Sequence, residues 1–233
     1  FLTSFWCHVA GFSKRWIDWY QRSERAGAEW IMDSGLFSMM YGAESKREYT
    51  EKNLREYIDF YLDQMEGLNW KQSIVELDVH KVLGMKVVQK YRKVFEARWD
   101  LDKCMFVWHV EEGKQGIIDL ANRYPFIAFS IPELKKLFGN RHAQVTRQCV
   151  DLALETNADV RIHLLGTSSD SLLRKVLGVY SSDSTSWLSG CRFNDSRLLL
   201  NGKLVRVPSL SQAVLKEEQS MKEAVFKIVS PVN

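Results

Sequence analysis

IMDSGLFS, residues 31–38, carries an apolar strand out onto an aspartate and then into small residues, and YSSDSTSW at 180–187 repeats the device late in the chain. Runs read as buried strands, 28–32 and 177–180, precede Asp33 and Asp183. Both carboxylates are therefore expected at strand ends, where parallel α/β folds place their ligands. Two carboxylates at one mouth imply acid, base or nucleophile chemistry.

Outward from these two landmarks, short apolar runs alternate with amphipathic helices. A helix is predicted over 45–66, where Leu54, Tyr57, Ile58, Tyr61, Leu62 and Met65 recur at three- and four-residue steps and Ser45 with Glu48 forms a capping box. SIVELDVH at 73–80 reads as a strand, followed by a helix over 82–98 with Val87, Val88, Tyr91, Val94 and Phe95 on one side. The cycle continues with CMFVWHV at 104–110, a helix near 114–122, FIAFSI at 126–131, a helix over 142–156, VRIHLLG at 160–166 and a short helix at 170–176. With the opening run 1–6, seven strands fall before residue 187. Strand and helix alternating this often predict a parallel sheet with crossover helices.

Asp33, Asp78, His109, Ser130, Gly166 and Asp183 mark the strand ends, spaced by 45, 31, 21, 36 and 17 residues, a rhythm that fits a TIM-like (β/α)8 barrel in one domain spanning 1–233. A doubly wound sheet would announce a glycine-rich turn after its first strand, and none is present. In RLLLNGKLVRV at 197–207, Asn201-Gly202 between apolar runs predicts a hairpin, either the eighth strand or an appended ribbon. A final amphipathic helix over 211–228 carries Val214, Leu215, Met221, Val225 and Ile228.

A chain of 233 residues with 45% hydrophobic residues is long enough to bury a full core. Its 32 Lys+Arg against 29 Asp+Glu, net +3, allow an anionic partner without demanding one. Cys7, Cys104, Cys149 and Cys191 lie far apart, with no spacing that suggests a disulfide framework or a cysteine-rich zinc site, so a reducing compartment is expected. No apolar run reaches the roughly 18–20 residues of a membrane span, and FLTSFWCHVAGFSKRW has no basic leader. The location read from this is cytoplasmic, with no membrane partner. Because the chain opens at Phe1, inside a run read as a strand, an initiator methionine and a few further residues are expected before it.

Strand-end DSG followed by Phe37 and Ser38, LD at 77–78, WH at 108–109, LLGTSS at 164–169 and the aspartate of YSSDSTSW resemble, in order, the tRNA-guanine transglycosylase superfamily. The similarity covers roughly residues 1–187 and is nearest to the compact branch, from phages and bacterial modification clusters, that places 7-deazaguanine bases into DNA. The resemblance implies a base exchange at a nucleotide's C1′, with a 7-deazaguanine as co-substrate and no energy-coupling or redox cofactor.

Asp183 matches the family's nucleophile and Asp33 its general acid/base. Asp78 resembles the carboxylate that accepts the guanine N1–H and amine. Phe37 and Leu165 match positions that sandwich the base, His109 stands where tRNA-modifying relatives have glutamine, and Ser34, Ser130 and Gly166 complete the base-binding set. The tRNA enzymes carry a CxCxxC-plus-histidine zinc site near the end of the barrel, where this chain has only Cys191, so no zinc or other metal is expected. DNA is accordingly the expected polymer and tRNA the runner-up, with the host cytoplasm as the place of action if the chain is phage-encoded. An oligomer is compatible with this reading.

Plainer roles compete with each of these. Asp before Ser-Gly also makes helix caps and Asx turns. Asp78 and His80, flanking Val79, are read as facing opposite ways, so that only Asp78 lines the mouth and His80 is structural or on the surface. His109 and His163 are divided between core hydrogen bonding and the pocket. Basic clusters at 81–93, 135–147 and 174–175 fall on predicted helices, where a solvated face is the ordinary explanation. GTSSDS at 166–171 offers backbone N–H groups to a phosphate or simply caps a helix. Two further classes stay open: a non-catalytic nucleic-acid-binding homologue, and an unrelated barrel hydrolase using two carboxylates on sugars.

Overall fold

The computed structural model describes residues 2–5, 16–36, 49–184, 197–200 and 203–206. The chain groups into two units, Phe1–Asp183 and Ser184–Asn233.

In the first unit seven strands form one sheet in the order of the chain: β1 (Leu2–Ser4), β2 (Ile31–Asp33), β3 (Ser73–Val75), β4 (Cys104–Trp108), β5 (Phe126–Ser130), β6 (Arg161–Leu165) and β7 (Ser181–Ser182). Every pairing is parallel, with registers such as Ser4↔Asp33, Trp108↔Phe129 and Ser130↔Leu165. The helices that intervene are α1 (Trp16–Arg25), α2 (Glu51–Gly67), α3 (His80–Leu83), α4 (Met85–Arg98), α5 (Gly113–Arg123), α6 (Ile131–Phe138), α7 (His142–Thr156) and α8 (Asp170–Leu173). Sequential parallel strands joined by crossovers of one hand put their helices on one face of the sheet.

That leaves the other face to bury itself. Along β4, Cys104, Phe106 and Trp108 join the helix-side core, whereas Met105 and Val107 belong to a second cluster with Val75, Phe126 and Ala128. All five residues of the second cluster are no more than 2% exposed. A flat sheet would leave them in water, so the sheet curls around them, and the central strands β4 and β5 read as nearly continuous apolar runs because both faces are covered. The fold is thus mixed α/β with a curled parallel sheet. No described helix is long and apolar enough to cross a membrane.

Several boundaries differ from the sequence reading. The helix expected from residue 45 begins at Glu51, capped by Thr50, whose Oγ1 accepts the Asn53 N–H at 3.2 Å; Ser45 and Glu48 lie outside the described residues. The helix expected over 82–98 is two, divided by Gly84 at φ +78°. Helix α6, which starts with Pro132 in its first turn, was not anticipated, nor was α1. The run 177–180 is not a buried strand. Leu177 and Tyr180 are 62% and 47% exposed, Gly178 turns the chain at φ +82°, and pairing with β6 waits until Ser181.

In the second unit β8 (Arg197–Leu200) and β9 (Lys203–Arg206) pair antiparallel from Arg197↔Arg206 to Leu200↔Lys203 as a two-stranded ribbon. The turn residues Asn201-Gly202 and the helix expected over 211–228 lie outside the described residues.

Candidate active site

Alternation along β2 turns Ile31 toward the sheet's inner cluster, Met32 toward the helices, and Asp33 back to the inner side at the strand's C-terminal end. Two tyrosines of α2 fasten the chain there: Tyr61 donates its hydroxyl to the Met32 carbonyl at 2.7 Å, and Tyr57 to that of Ser34 at 2.6 Å. Gly35, at φ +77°, turns its N–H onto Asp33 Oδ2 at 3.1 Å. Burial, with the charges of Asp183 and Asp78 added to it, lifts the Asp33 carboxyl to a pKa of about 6 against that hydrogen bond. All three sequence-predicted carboxylates therefore share one electrostatic environment.

Asp183 follows β7. Its Oδ1 accepts two hydrogen bonds, from the Gly166 backbone N–H at 3.0 Å and from His163 Nε2 at 3.0 Å, while His163 Nδ1 meets Ser181 Oγ at 2.8 Å. His163 is 1% exposed, so the imidazole is a buried strut between strand and carboxylate. Among the described residues Oδ2 carries no such bond. Gly166 is at φ +71°, and a Cβ there would stand 2.7 Å from Pro132 Cγ. Only glycine brings a backbone N–H to this point, and the group expected to face a base or phosphate faces Asp183 instead.

Asp78 lies beyond the end of β3, and His80 opens α3, so the two are not on a strand at all; even in a strand, residues two apart share a face. The reading that separated them is corrected by contact: His80 Nδ1 lies 2.5 Å from Asp78 Oδ1. On its other edge His80 Nε2 meets Glu133 Oε1 at 3.3 Å, and Lys81 Nζ binds Glu133 at 2.6 Å and Glu111 at 2.7 Å. Burial disfavours a charged His80, yet the hydrogen bonds from Asp78 and Glu133 outweigh it and hold the imidazolium to a pKa of about 9. Burial likewise works against an ionised Asp78, but the His80 bond and the nearby His109 leave its carboxyl below the ordinary range.

His109 stacks on His80 with ring centroids 3.9 Å apart and an interplanar angle of 24°. It is fully buried, among the described residues both ring nitrogens lack hydrogen-bond partners, and Nε2 stops 3.6 Å short of Asp78 Oδ1. Burial depresses its pKa to about 4, with Asp78 opposing and the His80 and Arg92 charges reinforcing, so the ring is neutral at physiological pH. Its backbone N–H donates to Glu112 Oε2 at 3.0 Å; Glu112 is gripped by Arg92, which also pairs with buried Glu76.

Leu165 joins the inner cluster opposite Ser130 in register, and Ser130 stands at the N-terminal boundary of α6. Ser34 is buried beside Asp33. Phe37 and Trp187 lie outside the described residues. His80 and Glu133 are the members that sequence reading missed. A histidine two positions after a strand-end carboxylate was the available signal for the first, whereas Glu133 sits in the first turn of the unanticipated α6.

Donor atoms of Asp78, His80 and His109 lie within 4.8 Å of one another, as do those of His80, Glu111 and Glu133. An imidazole lone pair lies in the ring plane, so one ion cannot sit in the planes of two rings stacked at 3.9 Å; the first set suits hydrogen bonding better than chelation. A cavity of about 560 Å³ opens at the opposite, N-terminal ends of the strands, beside Ile31, Ser73, Phe126, Arg161 and Ser181. Compared with known proteins, the chain matches no family model and no curated sequence.

Proposed function

We propose that the chain is a pentosyltransferase that exchanges guanine for a 7-deazaguanine base in DNA, and that its curled sheet is part of a (β/α)8 barrel. One observation supports the reading: two differently held carboxylates stand at the C-terminal ends of parallel strands, near enough that the charge of Asp183 bears on Asp33. Asp33, with a pKa of about 6, is placed to hold or release a proton near neutrality, as an acid/base must. Asp183 has one oxygen fixed by Gly166 and His163 and the other uncommitted among the described residues, as a nucleophile must.

In the first half-reaction Asp183 Oδ2 bonds to C1′ while the C1′–N9 bond breaks, and Asp33 gives its proton to the departing guanine. In the second, Asp33 takes the N9 proton of the incoming base, N9 bonds to C1′, and the ester to Asp183 breaks. One glycosidic bond replaces another, so energy coupling is unnecessary. Asp78 accepts the base's N1–H and amine, and neutral His109, with an unpartnered ring edge, donates to O6. The target nucleotide has to leave its stack to reach Asp183, at a cost of a few kcal/mol. Cys191 alone, where the tRNA enzymes carry a zinc-binding insertion, favours DNA as the polymer.

Exchange of radiolabelled guanine into duplex DNA and into tRNA tests this. Label should enter DNA, and Asp183→Ala should abolish entry. Exchange by that variant at the parental rate would remove the nucleophile, label entering only tRNA would reassign the polymer, and sugar hydrolysis without exchange would favour a glycosidase.

A further inference from the structure

Among the described residues, the His80–Glu133–Lys81–Glu111 chain that runs outward from Asp78 is the largest set of ionisable groups at this end of the sheet that the exchange steps above leave without a task. We propose that His80 is a positioning residue that sets base selectivity, holding Asp78 as an ionised acceptor in a fixed rotamer and His109 as a neutral partner beside it. The inference rests on the base-exchange reading and extends it to a residue that touches neither base nor sugar.

Geometry carries it. An imidazole with carboxylates on both edges donates through both nitrogens, so Asp78 Oδ1 receives a hydrogen bond, while among the described residues Oδ2 accepts none. Such a carboxylate rejects any base edge that presents an acceptor and accepts one that presents two N–H donors. Around His80 stand Asp78 from the preceding loop, His109 stacked from the end of β4 and Glu133 from α6, with Lys81 of its own helix and Glu111 behind Glu133. Lys81 and His80 both bind Glu133, so the clamp is anchored across three elements. His109 is covered on one face by a cationic ring, which opposes its protonation and leaves one nitrogen an N–H donor and the other an acceptor.

The probe is free guanine, titrated calorimetrically into the intact chain, with adenine as the competitor edge. His80→Phe should weaken guanine binding by about 10–100-fold, the worth of a charge-assisted hydrogen bond, while adenine binding stays unchanged and the exchange kcat at saturating guanine falls less than threefold. His80→Asn, which keeps a donor toward Asp78, should recover most of the loss. Parental guanine affinity should decline in the alkaline range as the imidazolium loses its proton. Guanine's own N1–H also ionises there, so the imidazolium is read from the difference between variant and parent: the decline should begin at lower pH when a carboxylate partner of His80 is removed. If His80→Phe does not fold, Glu133→Gln carries the test by moving that alkaline decline to lower pH. Asp78→Ala separates the two levels. If it leaves guanine affinity unchanged, the base reading fails; if it removes binding while His80→Phe stays within twofold of the parent, the base reading stands and the role of His80 is refuted.

Discussion

Asp33 combines burial at a strand end with two further carboxylates in its neighbourhood, and a charge held there opposes folding. Asp33→Asn keeps the acceptor for the Gly35 N–H and removes the charge. At pH 8 the variant is expected to melt about 2–6 °C higher than the parent, the shift for about 1–2 kcal/mol in a chain of this size, and to lose about 10²–10⁴-fold in exchange rate. Calorimetry and the guanine assay together check this; a lower melting temperature would show that the site is not under electrostatic stress. At this scale the identities of Asp33, Asp78, Asp183 and His109 were legible from strand-end positions. His80 was not, because its importance comes from two carboxylates on separate elements, one of them on a helix with no anticipated start.

Segments between strands do as much as the strands to shape the site. The turn after β6 brings Gly166 N–H to Asp183 only because φ +71° and the 2.7 Å approach to Pro132 exclude a side chain. Gly166→Ala should therefore cost about 1–3 kcal/mol in stability and, by displacing Asp183, about 10²-fold in kcat, with KM for guanine nearly unchanged; denaturant titration and steady-state kinetics read the two effects separately. A second support joins α4 to the end of β4. Arg92 pairs with Glu76 and Glu112 and donates to the Val107 carbonyl, with its side chain 7% exposed and that of Glu76 1%. Arg92→Met strands two buried carboxylates, and a loss of about 3–5 kcal/mol is expected in urea unfolding. A loss below about 1 kcal/mol would mean that the carboxylates rehydrate or take up protons without strain. Burial lifts Glu76 to a pKa of about 7 even against Arg92, so proton uptake is the natural escape.

For the molecule as a whole, stability against pH should bear the mark of the His80 clamp. Its folded pKa of about 9 exceeds the unfolded value of about 6.5, so the stabilisation is complete below about pH 6.5 and is lost as pH rises through 9. Unfolding free energy should fall across that window, and His80→Phe should flatten the slope; a parent curve flat from pH 6.5 to 9.5 would show that the clamp contributes nothing. The alternation of apolar runs with 3.6-residue periodicities was enough to fix the α/β class, a parallel sheet and the hairpin at 197–207, because periodicity is a local property that burial imposes on each segment. Strand order, the curl that covers Met105 and Ala128, and the true start of β7 were decided only in three dimensions. Pairing and closure depend on which faces find partners, and no single segment encodes its partner. So too with the site: the chain supplies the carboxylates one at a time, but a pKa of 6 on one and an imidazolium between two others arise only when groups far apart in sequence are brought out of water together.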